Sequence, residues 1–116
     1  MSAALPLHFT TLNVRGLSSK RKQYQLLRLF KEEKVDVAAV QETKLSSDES
    51  IAEALEPFMK EYEICVSQAS GLSAGCFFFF RKELDLSSVS VLTDLEGRLI
   101  SCDLSFRQIN WRFICL

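Results

Sequence analysis

The chain has 116 residues, 47% apolar and 25% charged, with a net charge of −1. That size suits one small domain or part of a larger one, and the near-neutral balance excludes a global basic field for nucleic acid while leaving room for a local patch. Four widely spaced cysteines without a Cys-x-x-Cys pair, and a single histidine, His8, argue against a zinc site and for reduced thiols, hence an intracellular protein, nuclear or cytoplasmic.

No basic leader precedes the apolar residues of 1–12, and the longest unbroken apolar run, Cys76–Phe80, is far too short to span a membrane. Leu7–Val14 has the composition of a strand, ended by a turn at Gly16. Ser18 or Ser19 then caps a helix running to about Glu33, with Leu26, Leu27 and Phe30 as its buried stripe and Tyr24 and Leu29 on its flanks. Val35–Gln41 follows, four small apolar residues closed by Gln41-Glu42; such a run, apolar on both faces, belongs in a covered sheet. The opening is therefore β-α-β, a parallel pair with a right-handed crossover.

Beyond it, Ser46–Ser50 reads as a polar loop, Ser50–Lys60 as a short helix limited by Pro57, and Tyr62–Val66 as a strand. Ser67–Ala74 reads as a turn and Gly75–Arg81 as a fully buried strand carrying Phe77 to Phe80. Leu86–Leu92 alternates imperfectly, Thr93–Gly97 turns, and Leu99–Phe106 alternates well. Trp111–Leu116 is a last strand without a closing cap, as expected if residues 1–116 are a piece of something longer.

Two polar residues stand where the parallel strands run out, Asn13 after the first and Glu42 after the second. In open α/β sheets that end holds ligands, and a carboxylate beside a carboxamide suits a hard cation such as magnesium. The competing reading is two unrelated loop residues. Lys20, Arg21 and Lys22 crowd the first helical turn next to Arg15, against the helix dipole; they form either a phosphate-binding patch or a solvated basic face. His8, several residues before the strand end, fits a packing or surface role.

Thr11-Leu12-Asn13-Val14-Arg15-Gly16-Leu17, then Gln41-Glu42-Thr43-Lys44, then Gly71 to Gly75 before an apolar strand, occur in an order and spacing that resemble the N-terminal half of the endonuclease/exonuclease/phosphatase (DNase I-like) superfamily, most of all the apurinic-type endonuclease domain of non-LTR retrotransposons. The segment from Asp94 to Ile100 resembles the family's strand before its next catalytic segment. The resemblance implies an α/β fold, here an incomplete four-layer sandwich with a β-α-β start followed by antiparallel strands. It also implies magnesium-dependent cleavage of phosphate esters. It makes Glu42 the metal-binding glutamate and Asn13 its catalytic companion, and sets Arg15, Lys20 and Arg21, with Lys22 beside them, against DNA phosphates. The family's downstream tyrosine, Asp-x-Asn motif, further aspartates and late histidine have no counterpart, and His8 does not match that histidine. The expectation is a DNA endonuclease-like fragment with little or no activity alone; the alternative is a non-catalytic remnant that binds a protein partner through an uncovered sheet. On either reading one side of Phe77 to Phe80 is expected to lack its second sheet, leaving the isolated chain aggregated or molten unless a partner covers that face.

Overall fold

The structure, a computed structural model, describes residues 7–67, 75–84, 86–93 and 100–115. The elements run β1 (Phe9–Asn13), α1 (Lys20–Glu32), β2 (Val37–Gln41), α2 (Asp48–Leu55), a 3₁₀ turn at Glu56–Phe58, β3 (Tyr62–Ser67), β4 (Cys76–Arg81), β5 (Leu86–Thr93), β6 (Ile100–Phe106) and β7 (Ile109–Cys115). The strands form a four-stranded sheet in the order β1-β2-β4-β3 and a three-stranded sheet in the order β5-β6-β7. β1 and β2 are parallel and the other pairs antiparallel. With the helices on one face of the larger sheet and the smaller sheet on the other, three of the four expected layers are present.

β2 and β4 show why both faces need cover. Successive side chains of a strand point to opposite faces. Ala38 and Val40 of β2, with Phe77 and Phe79 of β4, join Leu26 and Phe30 of α1 and Phe58 in one core. Val37, Ala39, Phe78 and Phe80 join Cys102 and Leu104 of β6 in a second, with Phe113 of β7 packed against it. Phe79 is the hub of the first core, with ring centroids 4.8 Å from Phe58 and 5.2 Å from Phe30.

The expected uncovered face is therefore corrected. Phe77, Phe78 and Phe79 are fully buried and Phe80 is 3% exposed. The second sheet comes from this chain's own β5, β6 and β7, whose alternation places Cys102, Leu104 and Phe113 on the inward side. What stays open is the edge of the sandwich and the outer face of the second sheet, where Leu92 and Ile114 are exposed. Phe9 of β1 stacks on Phe113 at 4.4 Å yet is 42% exposed, and Ile109 and Trp111 of β7 are exposed beside it.

Local chemistry accounts for the remaining differences. Ser19 caps α1 through Lys22 N–H, as the composition suggests, but Gln23 joins Leu26 and Phe30 on the buried stripe. α2 starts at Asp48, inside the expected polar loop, because Ser47 and Ser50 form a reciprocal capping box. The alternation of β5 breaks at a register shift between Leu86 and Ser88. β7 begins at Ile109, two residues before the expected start, after a two-residue hairpin at Arg107 and Gln108, both left-handed at φ 52° and 66°. That turn favours Asn-Gly, so nothing in Arg107-Gln108 announces it. The expected turns at Ser67–Ala74 and Thr93–Gly97 lie mostly outside the described residues, as does the segment from Asp94 to Leu99.

Candidate functional site

Asn13 and Gln41 are register partners at the C-terminal ends of β1 and β2. Phe9 packs toward the second sheet, so Thr11 and Asn13 share that face by alternation, and Gln41 shares it with Val37 and Ala39. Gln41 Nε2 donates to Thr11 Oγ1 at 2.6 Å. The strand alternation alone would send Glu42 to the opposite face. Glu42 is instead left-handed, at φ 55°, and its carboxylate accepts a hydrogen bond from Asn13 Nδ2. Asn13 Oδ1 in turn accepts the Arg15 N–H at 3.1 Å, so the carboxamide is fixed at both ends.

The backbone is stitched around this pair. Val14 N–H donates to Gln41 C=O at 3.0 Å, Gly16 N–H to Glu42 C=O at 2.6 Å, Leu17 N–H to Thr43 C=O at 2.9 Å and Thr43 N–H to Gly75 C=O at 3.0 Å. Gly16 itself has φ 97°, a conformation that side chains rarely adopt. Left-handed backbone in a non-glycine residue costs about 1–2 kcal/mol and concentrates where function requires it. Here Arg15, Glu42 and Lys44 all adopt it within one small region.

The basic residues divide. Lys22 Nζ donates to the carbonyls of Val14 at 2.8 Å and Arg15 at 3.4 Å, bracing the β1–α1 loop from the helix. Lys20 Nζ lies 3.9 Å from Glu56 Oε2, both exposed. The guanidinium groups of Arg15 and Arg21 are exposed and make no ion pair among the described residues. Gln23 adds a second brace, Nε2 donating to Leu17 C=O at 2.9 Å, while its Oε1 and the buried Thr43 hydroxyl find no partner among the described residues.

The donor set fits a hard cation in kind: a half-buried carboxylate oriented by a carboxamide. It fits only in part by number, since no group of three His, Cys, Asp or Glu side chains that could hold an ion exists among the described residues. The Thr11–Gln41 pair, the left-handed Glu42 and the Lys22 brace were not legible as site features. The only hint in the chain was the polar run at each strand end.

His8 stands exposed at the other end of β1, its Nδ1 donating to Lys34 C=O at 2.9 Å, away from the Asn13–Glu42 pair. Cys65, Cys76 and Cys102 form no disulfide among the described residues; burial pushes the Cys102 thiol up to about 12 and raises Cys65 as well. Among the described residues no helix is long and apolar enough to cross a membrane.

A model of the Endonuclease/Exonuclease/phosphatase family matches residues 10–110, and the chain belongs to that family. Comparison with curated proteins returns no match. Among solved structures, the AP endonuclease LMAP from Leishmania major superposes with a TM-score of 0.73 at 23% identity, over 94% of this chain and 39% of that one. The Neisseria 3' phosphatase NExo bound to a product DNA hairpin gives 0.64 at 20% identity, over 92% and 40%. D. rerio TDP2 complexed with a single strand DNA product gives 0.66 at 17% identity, over 93% and 44%. These likenesses establish the fold, and the chain spans about two fifths of the length of those proteins.

Proposed function

We propose that residues 1–116 form the N-terminal part of a magnesium-dependent phosphodiesterase domain of the DNA-endonuclease kind, of retroelement origin and intracellular. The observation that carries this reading is the Asn13–Glu42 hydrogen bond at paired strand ends, in a chain that matches the family over residues 10–110. Glu42 would hold the ion, and Asn13 would orient the carboxylate. Held there, the ion would supply Lewis-acid polarisation of a phosphoryl oxygen. The exposed guanidinium groups of Arg15 and Arg21 draw a phosphate backbone toward the strand ends. Lys20 adds to that field, and Lys22 contributes by holding the loop. The retroelement assignment rests on the motif resemblance, and DNA as substrate on the DNA products bound by the phosphatase and TDP2.

One carboxylate leaves most of the magnesium shell to water, so the isolated chain binds the ion weakly and nicks DNA too slowly to measure. The test is a magnesium titration followed by the Asn13 side-chain amide resonances. They move saturably in the parent chain and stay still in Glu42→Gln. Equal movement in both, or none in either, removes Glu42 from the role.

The exposed Phe9, Ile109 and Trp111 favour a second reading, a non-catalytic module whose partner docks on the open β1 and β7 edges. A chain with no magnesium response at Asn13 that binds a protein through these residues fits that reading instead.

A further inference from the structure

The N-terminal ends of β1 and β2, opposite Asn13 and Glu42, border a cleft of about 780 Å³ between the end of α1, the start of β3, the end of β4 and the β6–β7 hairpin. That volume lies in the range of small-molecule sites. Its charged lining comprises four cations and three carboxylates. Most are matched: Arg81 bonds Asp36 and Glu83, and Lys31 pairs with Glu61 at 3.3 Å. Lys34 and Arg107 make no ion pair among the described residues.

Those two residues share a second property. Both are left-handed, each at φ 52°. Glycine or asparagine suits that backbone better, yet each position carries a long cation lining the same cleft. Lys34 closes α1, with the Val35 N–H returning to Phe30 C=O at 2.9 Å, and Arg107 opens the β6–β7 hairpin, so tight turns hold both cations at the rim. His8 ties the Lys34 loop to the start of β1 through its ring N–H. The Arg107 guanidinium lies 5.2 Å over the Phe106 ring, and Phe30, Val35 and Leu84 complete an apolar wall.

We propose that this cleft binds a small organic oxyanion, its charged group between Lys34 and Arg107 and its apolar body against Phe106 and Leu84. The site is separate from the strand-end pair and does not depend on the function proposed for it.

The probe is 2-naphthoate, compared with the neutral 2-naphthamide, followed by amide resonances of the whole chain. The expected result is a saturable shift at Lys34, Val35 and Arg107, with at least tenfold weaker binding of the amide. Lys34→Asn and Arg107→Asn each weaken naphthoate several-fold, and together at least tenfold. Their thermal midpoints do not fall, because asparagine tolerates the left-handed backbone. Glu42→Gln binds naphthoate like the parent. No saturable shift, equal affinity for the amide, unchanged affinity in the double variant, or shifts centred on Asn13 would each overturn the proposal.

Discussion

The two ends of the four-stranded sheet each carry a carboxylate, and they treat it differently. Asp36, where β2 begins, is 5% exposed and fully matched. Its Oδ1 accepts from Arg81 Nε at 2.9 Å and Nη2 at 2.5 Å, and its Oδ2 accepts the His8 N–H at 2.9 Å. That hydrogen bond and charge raise the Arg81 guanidinium, and Glu83 adds to the effect. Glu42, where β2 ends, is half-buried and left-handed and has one side-chain partner among the described residues, Asn13. A buried carboxylate with both oxygens hydrogen-bonded and a guanidinium beside it stabilises the fold and has little left to offer a ligand. A carboxylate on strained backbone, with a single neutral donor, keeps capacity for a cation.

The difference is largest in stability. Arg81→Ala leaves Asp36 buried without its cation and costs about 3 kcal/mol, at the low end for a broken buried pair because Arg81 is partly exposed. Glu42→Gln, which keeps an acceptor for Asn13, changes stability by about 0.5 kcal/mol or less. Paired urea titrations check this, and equal costs would dissolve the contrast between the two ends.

A smaller effect falls on the loop that frames Glu42. Gly16→Ala forces a side chain into φ 97° and costs about 1–2 kcal/mol, although a Cβ there meets only Lys44 Cδ at 3.8 Å. The Asn13 side-chain amide signals should broaden or move in this variant, and unchanged signals would separate the loop from the pair.

DNA binding is weaker still. With Lys22 committed to backbone carbonyls and Lys20 beside Glu56, two exposed guanidinium groups remain, Arg15 and Arg21. The log–log salt slope should be about −1.8, at 0.9 per phosphate contact. A slope near −3.6 would make Lys20 and Lys22 direct phosphate contacts as well.

The smallest effect belongs to the exposed face of the second sheet. The Arg112 hydrogen bond and charge hold Asp103 below its ordinary 3.8. Because the folded value is depressed, the pair's stabilising contribution is present above 3.8 and fades as pH falls through the folded value. Arg112→Gln should bring the Asp103 carboxyl resonance back toward an ordinary titration, with little change in thermal midpoint.

Much of this was legible in the residues. The β-α-β opening followed from the glycine turn, the Ser19 cap and the 3.6-residue spacing of α1. The covered position of β2 and β4 followed from runs apolar on both faces. Asn13 and Glu42 stood out because polar residues interrupted apolar strands at equivalent places. The number of layers was not legible. Strand alternation says that Phe78 and Phe80 need cover, but only the hairpin at Arg107 and Gln108, which has no turn signature of its own, shows that this chain supplies it.

The sequence by itself determined local periodicity, caps and strand ends, because these depend on residues a few positions apart. Tertiary structure alone decided which charges remain available. Asp36 and Arg81 are 45 positions apart, and Asn13 and Glu42 are 29. Lys22 reads as part of a basic cluster until folding places two carbonyl oxygens within its reach. Whether an ionisable group is matched depends on neighbours brought together by long-range packing, which no short window of residues encodes.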